Sequence, residues 1–376
     1  MSETVSFEGA APPGTIDFGI GQPSADLLPV DLIEQASRSF FDTAQPFELN
    51  YGVLQGDQRF LESLAGFLTA GYGKAASSDE LFVTGGNSQG LDLVSAVLAR
   101  PGDTVFVEEP SFFLAFQIFR DHGLNIIGIP VDEDGLRIDV LQQELATHTP
   151  AFLYTIPSYH NPGGHCTTEV RRRRLVELAD EHNFLIIADE VYQLLNYNGA
   201  PPPAYGTMVD SGRVVSLGSF SKILAPGMRL GWIQTSGPLR SRIMASGFIN
   251  SGGSVNHISS LIIRQAIDNA SLDAHVRRLR DVYRGRVAAM DAALHEHFDG
   301  IAEWLRPDGG YFFWLRFDES IDTTALQKKA PELETGFEAG GAFSSKGQFK
   351  NCARLCFAHY DENDIRDGIA RMRGLF

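Results

Sequence analysis

Cysteine is scarce: three in 376 residues, Cys166, Cys352 and Cys356, an odd number with no metal-ligand spacing. No metal site is expected from them, and each reads as a reduced residue in or near the core. Cations are also short, with 31 Lys and Arg against 47 Asp and Glu and a formal net charge of −16. A nucleic-acid binder carries a basic face to neutralise phosphates, so this balance argues against that class. A local cationic pocket can still sit within an acidic surface. Long apolar runs are missing too; none approaches the roughly 18 residues that a membrane span needs. The start, MSETVSFEGAAPPG, lacks a positive region followed by an apolar one, so it does not read as a secretory signal. A cytoplasmic protein without membrane or nucleic-acid partners is expected.

What is present is a globular composition, 43% hydrophobic and 21% charged. The length exceeds one ordinary core, which predicts a large domain and a smaller one. From about residue 80 to 235, β-rich runs alternate with helical patterns: LFVTGG (81–86), DTVFVEE (103–109), NIIGIPV (125–131), AFLYTIP (151–157), FLIIADE (184–190), RVVSLGS (213–219) and RLGWIQT (229–235). The helical spacing falls at 88–100 and 167–182. Such alternation predicts an α/β fold with a mostly parallel sheet covered on both faces, whose ligands sit at the carboxyl ends of the strands. After about residue 270 a long polar helix (272–298), two more strands (311–317 and 352–358) and a closing amphipathic helix suggest an α+β unit. The division expected is 1–45 as an extended N-terminal segment joining the small domain, 46–275 as the large domain, and 276–376 as the small one. No internal repeat is evident. The charge run RRRR (171–174) spans most of a helix circumference and predicts a mainly solvated face.

Nearly every informative polar residue falls at a strand end. Gly86, Asn87 and Ser88 follow the first run and open a helix. Helix-start N–H groups can hold an anion, but Asn and Ser are also ordinary N-caps. Asn161 begins NPGG, which is a turn signal by itself or a donor aimed into a site. Asp189 ends an apolar strand, so it is an N-cap, a buried ion-pair member, or a carboxylate that keeps a heteroaromatic nitrogen protonated. The stretch SLGSFSKILAPGMRLGW (216–232) supplies Ser219, Ser221 and Arg229, donors suited to a phosphate, with Lys222 among them. If desolvated, that amine becomes a nucleophile for a carbonyl, and an aldehyde cofactor carrying a phosphate would use the whole set.

In order, YGVLQGD (51–57), TGGNSQGLDL (84–93), NPGG (161–164), ADEVY (188–192), SFSKILAPGMRLGW (219–232), GGYFFWL (309–315) and the late Arg354 make the chain resemble the class I/II aminotransferases. These are fold-type I enzymes that use pyridoxal 5'-phosphate, and the wording is most like the branch handling aromatic amino acids and 2-aminoadipate. The resemblance implies the following roles. Lys222 bonds to the cofactor's aldehyde carbon and later moves a proton between the substrate Cα and that carbon. Asp189 partners the pyridine nitrogen, while Asn161 and Tyr192 donate to the ring's phenolic oxygen. Gly86, Asn87, Ser88, Ser219, Ser221 and Arg229 build the phosphate site, and Phe112 stacks on the ring. Tyr51 reaches the phosphate of the other subunit of a homodimer. Arg354 clamps the substrate carboxylate, with Gly21 closing over it. Phe112 stands where tyrosine is common, so a hydroxyl is lost there, and Asn87-Ser88 stands where Ser-Gln is frequent.

The reaction implied is transfer of an amino group from an L-amino acid, aromatic or 2-aminoadipate-like, to a 2-oxo acid such as 2-oxoglutarate. A lyase catalysing β-elimination shares the fold and every cofactor residue and is the alternative. A ligand-sensing regulator, with this fold joined to a helix-turn-helix domain, is the remote one; the fold begins within about 16 residues of the start, and the charge is wrong for DNA.

Overall fold

The computed structural model describes residues 11–253 and 255–376. Its centre is an eight-stranded sheet in the spatial order Leu81–Thr84, Gly231–Thr235, Val214–Ser219, Leu185–Asp189, Pro150–Thr155, Thr104–Glu109, Asn125–Asp132 and Gly135–Leu136. The strands from Val214–Ser219 across to Asn125–Asp132 pair in parallel. Gly231–Thr235 runs antiparallel to both of its neighbours, Leu81–Thr84 and Val214–Ser219.

Alternate side chains of these strands enter two separate cores, as the period of two requires. Val105, Val107, Phe152, Tyr154 and Ile187 pack on one face, with Leu91, Val94 and Phe119 from the covering helices. Phe106, Leu153, Ile186 and Ala188 pack on the other, against Leu141, Leu175 and Leu178. A sheet buried on both sides explains why its strands read as nearly continuous apolar runs.

A second sheet, fully antiparallel, has the order Ala302–Trp304, Phe312–Phe317, Cys352–Cys356 and Glu338–Ala339. The long helix Ser271–Phe298 is polar in composition yet buries Leu272, Val276, Leu279, Tyr283, Val287, Met290, Leu294 and Phe298. Steps of three and four residues make that one apolar stripe.

Two expectations change. The first 45 residues are not simply extended: Val30–Phe41 is an α-helix that buries Ala36 and Phe40. Their four-residue spacing puts both on one face, a weak signal beside the surrounding prolines and glycines. Upstream of it, Ile16–Asp17 pairs in parallel with Thr335–Gly336. The RRRR run also departs from a solvated face at one position. Arg172 is wholly buried, donating to Thr167 O at 2.9 Å, Pro157 O at 2.6 Å and Ser158 Oγ at 2.8 Å. Arg171, Arg173 and Arg174 pair with surface carboxylates. No helix among the described residues is long and apolar enough to cross a membrane.

Candidate active site

Strand direction alone gathers the site. Leu81–Thr84, Thr104–Glu109, Pro150–Thr155, Leu185–Asp189 and Val214–Ser219 end at the same edge, and the antiparallel Gly231–Thr235 begins there. That edge therefore collects residues following five strands and Arg229 preceding a sixth.

The helix Asn87–Leu98 starts on this edge, and its N-cap is Gly86, which has no side chain to satisfy the first-turn N–H groups. The capping role open to Asn87 and Ser88 is thus not taken. Asn87 Oδ1 is buried without a hydrogen-bond partner among the described residues, and Ser88 is exposed. Gly86 has φ +90°, and a Cβ there would fall 2.8 Å from Arg229 Nη2, so glycine is needed both for its backbone and for the guanidinium beside it. Arg229 itself sits at φ +46°, held by its turn with Nη1 donating to Pro226 O at 3.3 Å. Across the gap the Ser219 hydroxyl donates to Ser221 Oγ at 2.9 Å and accepts from the Ser221 N–H at 3.1 Å. Uncapped N–H groups, two hydroxyls and a guanidinium make an anion cradle.

Asp189 is 4% exposed at the end of its strand. Tyr154 donates to its Oδ2 at 2.8 Å, while Oδ1 is buried with no well-formed hydrogen bond among the described residues. Burial pushes the carboxyl up to about 6, opposed by the Tyr154 hydrogen bond and, more weakly, by the Val191 N–H, the Asn87 side chain and the Lys222 charge. The register pairs Tyr154 with Ile187, so Asp189 lies two residues further along the same face of the adjacent strand.

Lys222 Nζ donates to Gly21 O at 3.0 Å and stands 5.3 Å from the Tyr311 ring centroid. Tyr311 in turn donates its hydroxyl to Lys222 O at 3.0 Å. Burial lowers the ammonium to about 8, with Arg354 pushing the same way and Cys356 and Asp189 opposing. A neutral amine is therefore accessible near neutral pH, as a nucleophile requires. Tyr192 is buried 5.4 Å from Tyr311 and 5.9 Å from Phe312, ring to ring, and burial raises its phenol.

Arg354 comes from the second sheet, on Cys352–Cys356. Its Nη1 donates to Asn161 Oδ1 at 3.3 Å and its Nη2 to Gly19 O at 2.7 Å. The guanidinium carbon lies 4.4 Å from the Phe312 centroid and 5.0 Å from that of Phe343. Nε is buried without a hydrogen-bond partner among the described residues, and burial lowers the group from its usual value. A Cβ added at Gly21 would stand 3.6 Å from Arg354 Nη2, so the chain turn at Gly21 does lie over this arginine.

Lys222, Gly21, Arg354 and Asn161 are joined by direct contacts or through the 19–21 turn, and Asp189 by charge to Lys222. Phe112 is half-buried, its ring 5.7 Å from Phe113. Tyr51 is 84% exposed. Four residues escaped the sequence reading: Tyr154, Tyr311, Phe343 and Arg172. A tyrosine two positions out of step with Asp189 inside AFLYTIP is the one available signal, since a hydroxyl on an apolar face needs a partner.

This constellation fits one ligand with an anionic tail, a basic ring nitrogen and a carbonyl. The model of the family described as aminotransferase class I and II matches residues 13–372. The chain belongs to this family. Aminotransferases of this class use pyridoxal 5'-phosphate, and the buried Asp189 Oδ1, the lowered Lys222 amine and the uncapped helix start beside Arg229 suit that group. Among similar curated proteins, an aromatic-amino-acid aminotransferase of Thermococcus litoralis is 33% identical over 95% of this chain and 87% of its own length. A 2-aminoadipate transaminase of Thermus thermophilus is 28% identical over 96% of this chain and 89% of its own. Among solved structures, a Pyrococcus horikoshii kynurenine aminotransferase in complex with PMP superposes with a TM-score of 0.90 at 31% identity, over 98% of this chain and 91% of that one. The chain is thus a pyridoxal 5'-phosphate-dependent aminotransferase with the fold type I architecture, and these relatives do not favour the lyase alternative.

Proposed function

We propose that this aminotransferase takes the amino group of an aromatic or 2-aminoadipate-like L-amino acid and delivers it to a 2-oxo acid such as 2-oxoglutarate. The observation that carries the site assignment is the pairing of a buried carboxylate, one of whose oxygens has no well-formed hydrogen bond among the described residues, with a lysine whose amine is lowered to about 8. When bound, pyridoxal 5'-phosphate supplies an electron-withdrawing ring that acidifies the donor's Cα–H. Asp189 would hold the ring nitrogen's proton through Oδ1. Ser219, Ser221, Arg229 and the Gly86–Ser88 helix start would hold the phosphate. Asn161 and Tyr192 would donate to the ring oxygen, and Phe112 would stack on the ring face. Arg354, already forked toward Gly19 and Asn161, would exchange these partners for the donor's carboxylate. Lys222 Nζ, released from Gly21 O, would take the Cα proton and deliver it across the amino nitrogen to the former aldehyde carbon.

The same reading makes the enzyme a cytoplasmic homodimer in which Tyr51 serves the partner's phosphate. Its 84% exposure beside exposed Phe47, Leu49 and Val53 supports an interface there, and three free cysteines suit a reducing compartment. It also divides the chain at 1–45, 46–275 and 276–376. The test is to mix enzyme, a panel of amino acids and 2-oxoglutarate. Glutamate appearing with aromatic or 2-aminoadipate donors supports the proposal; ammonia and pyruvate released without an acceptor would overturn it.

A further inference from the structure

Glu109 ends the strand Thr104–Glu109 and is only 3% exposed, yet it has no part in the cofactor set. Its carboxylate reaches out of the large sheet to the turn that precedes Cys352–Cys356. Oε1 accepts from the Ser344 hydroxyl and from the Ser345 N–H at 3.1 Å. Oε2 accepts from the same N–H at 3.0 Å and from the Ser345 hydroxyl at 2.5 Å. Two further ties flank this clasp: Ser111 N–H donates to Phe343 O at 2.9 Å, and Lys346 Nζ donates to Gly128 O at 3.1 Å.

The neighbouring strand is shaped for the contact. A Cβ at Gly128 would fall 2.4 Å from Glu109 Oε2 and 2.9 Å from Ser345 Oγ, so only glycine leaves room for the carboxylate and the serine together. The residue just before the clasped pair is Phe343. Its ring is fully buried, 5.3 Å from Phe113, 5.6 Å from Trp314 and 5.0 Å from the Arg354 guanidinium. Phe312 is the other aromatic ring on that guanidinium. Glu109 therefore fixes the backbone immediately after a ring that packs on the carboxylate-clamping arginine.

We infer that Glu109 is a positioning residue for donor binding: it clasps Ser344 and Ser345 so that Phe343 holds Arg354 ready for a carboxylate, without touching cofactor or substrate. This rests on the proposed role of Arg354. A charged acceptor with several donors is among the stronger hydrogen-bonded contacts, so its loss should be felt at the arginine. The contacts of Lys222 run to Gly21 and Tyr311 and not to the clasp, so the cofactor's own attachment should not respond.

The test compares wild type with Glu109→Gln and with the milder Ser345→Ala, which removes a single donor should the first variant fold poorly. Binding of 3-phenylpropionate, a carboxylate lacking an amine, is measured by calorimetry on the cofactor-loaded protein, beside single-turnover bleaching by phenylalanine and the visible spectrum. The expected result for Glu109→Gln is a dissociation constant for both ligands raised about tenfold, as befits loss of a charged acceptor. Ser345→Ala should give a smaller rise in the same direction. The limiting bleaching rate and the position of the visible band should stay as in wild type. Unchanged carboxylate affinity in both variants overturns the clasp's role, as does a fall in limiting rate at unchanged affinity. Wild-type protein that accepts amino groups while the variants keep its affinity leaves the transaminase reading standing; wild-type protein that accepts none removes both.

Discussion

Tyr154 donates to Asp189 Oδ2 at 2.8 Å from the adjacent strand and leaves Oδ1 buried with no well-formed hydrogen bond among the described residues. The hydrogen bond favours the ionised form, which burial opposes. In Tyr154→Phe the carboxyl should therefore titrate above about 6. The titration belongs to the cofactor-free site, so it is followed there through the pH dependence of pyridoxal 5'-phosphate binding, for which Asp189 is proposed to be ionised. A hydrogen bond to a charged group of roughly 1.5–3 kcal/mol predicts that affinity falls away, as pH is lowered, about one unit or more earlier than in wild type. An unmoved fall-off would separate Tyr154 from the ionisation of Asp189.

Asp189 also carries a stability prediction. Its folded value of about 6 lies above the ordinary 3.8, so the native state binds the proton more tightly than the unfolded chain. The stabilisation is complete below the unfolded value and is lost as pH rises through the folded one. Above pH 6 the buried anion is a burden, worth roughly 3 kcal/mol at about 1.4 kcal/mol per unit. Asp189→Asn should then make the cofactor-free protein more resistant to urea at pH 7 while abolishing turnover. If the variant unfolds at lower urea than wild type, the desolvation account of this carboxyl is incorrect.

How much of this was legible beforehand depends on the direction of the contact. Lys222, Asp189 and Asn161 stood out as polar residues at the ends of apolar strands, each with a structural reading beside the functional one; Arg354, inside its strand, was marked only by the ordered motifs that resemble the family. Tyr154, Tyr311 and Phe343 did not, because an aromatic residue in an apolar run looks like core until the register across strands is known. Arg172 was hidden in a run of four arginines; only helix phase against the sheet decides which one turns inward. The helix Val30–Phe41 was masked by the prolines and glycines around it.

Arg172 is fully buried, 3.7 Å from Glu190 and bonded to the carbonyl of Pro157. Burial already raises the Glu190 carboxyl, and the Arg172 charge opposes it. Removing one member of a buried pair costs roughly 3–5 kcal/mol. Arg172→Met should lose that much stability by chemical denaturation, and a loss below about 1 kcal/mol, the level of an ordinary surface change, would contradict its place here.

Arg354→Ala should weaken donor binding and spare the cofactor. Loss of a charged hydrogen bond of roughly 1.5–3 kcal/mol predicts a rise in donor KM of about tenfold to a hundredfold or more. Release of the cofactor instead, seen as loss of the bound visible band on gel filtration, would assign the arginine to the wrong ligand.

The central claim is that Lys222 Nζ carries the cofactor's aldehyde carbon. Borohydride reduction of the loaded protein followed by peptide mapping tests it directly. The phosphopyridoxyl label should fall on Lys222 alone, and Lys222→Ala should show neither label nor turnover. A label on another lysine, or an unchanged visible spectrum in Lys222→Ala, would contradict the account.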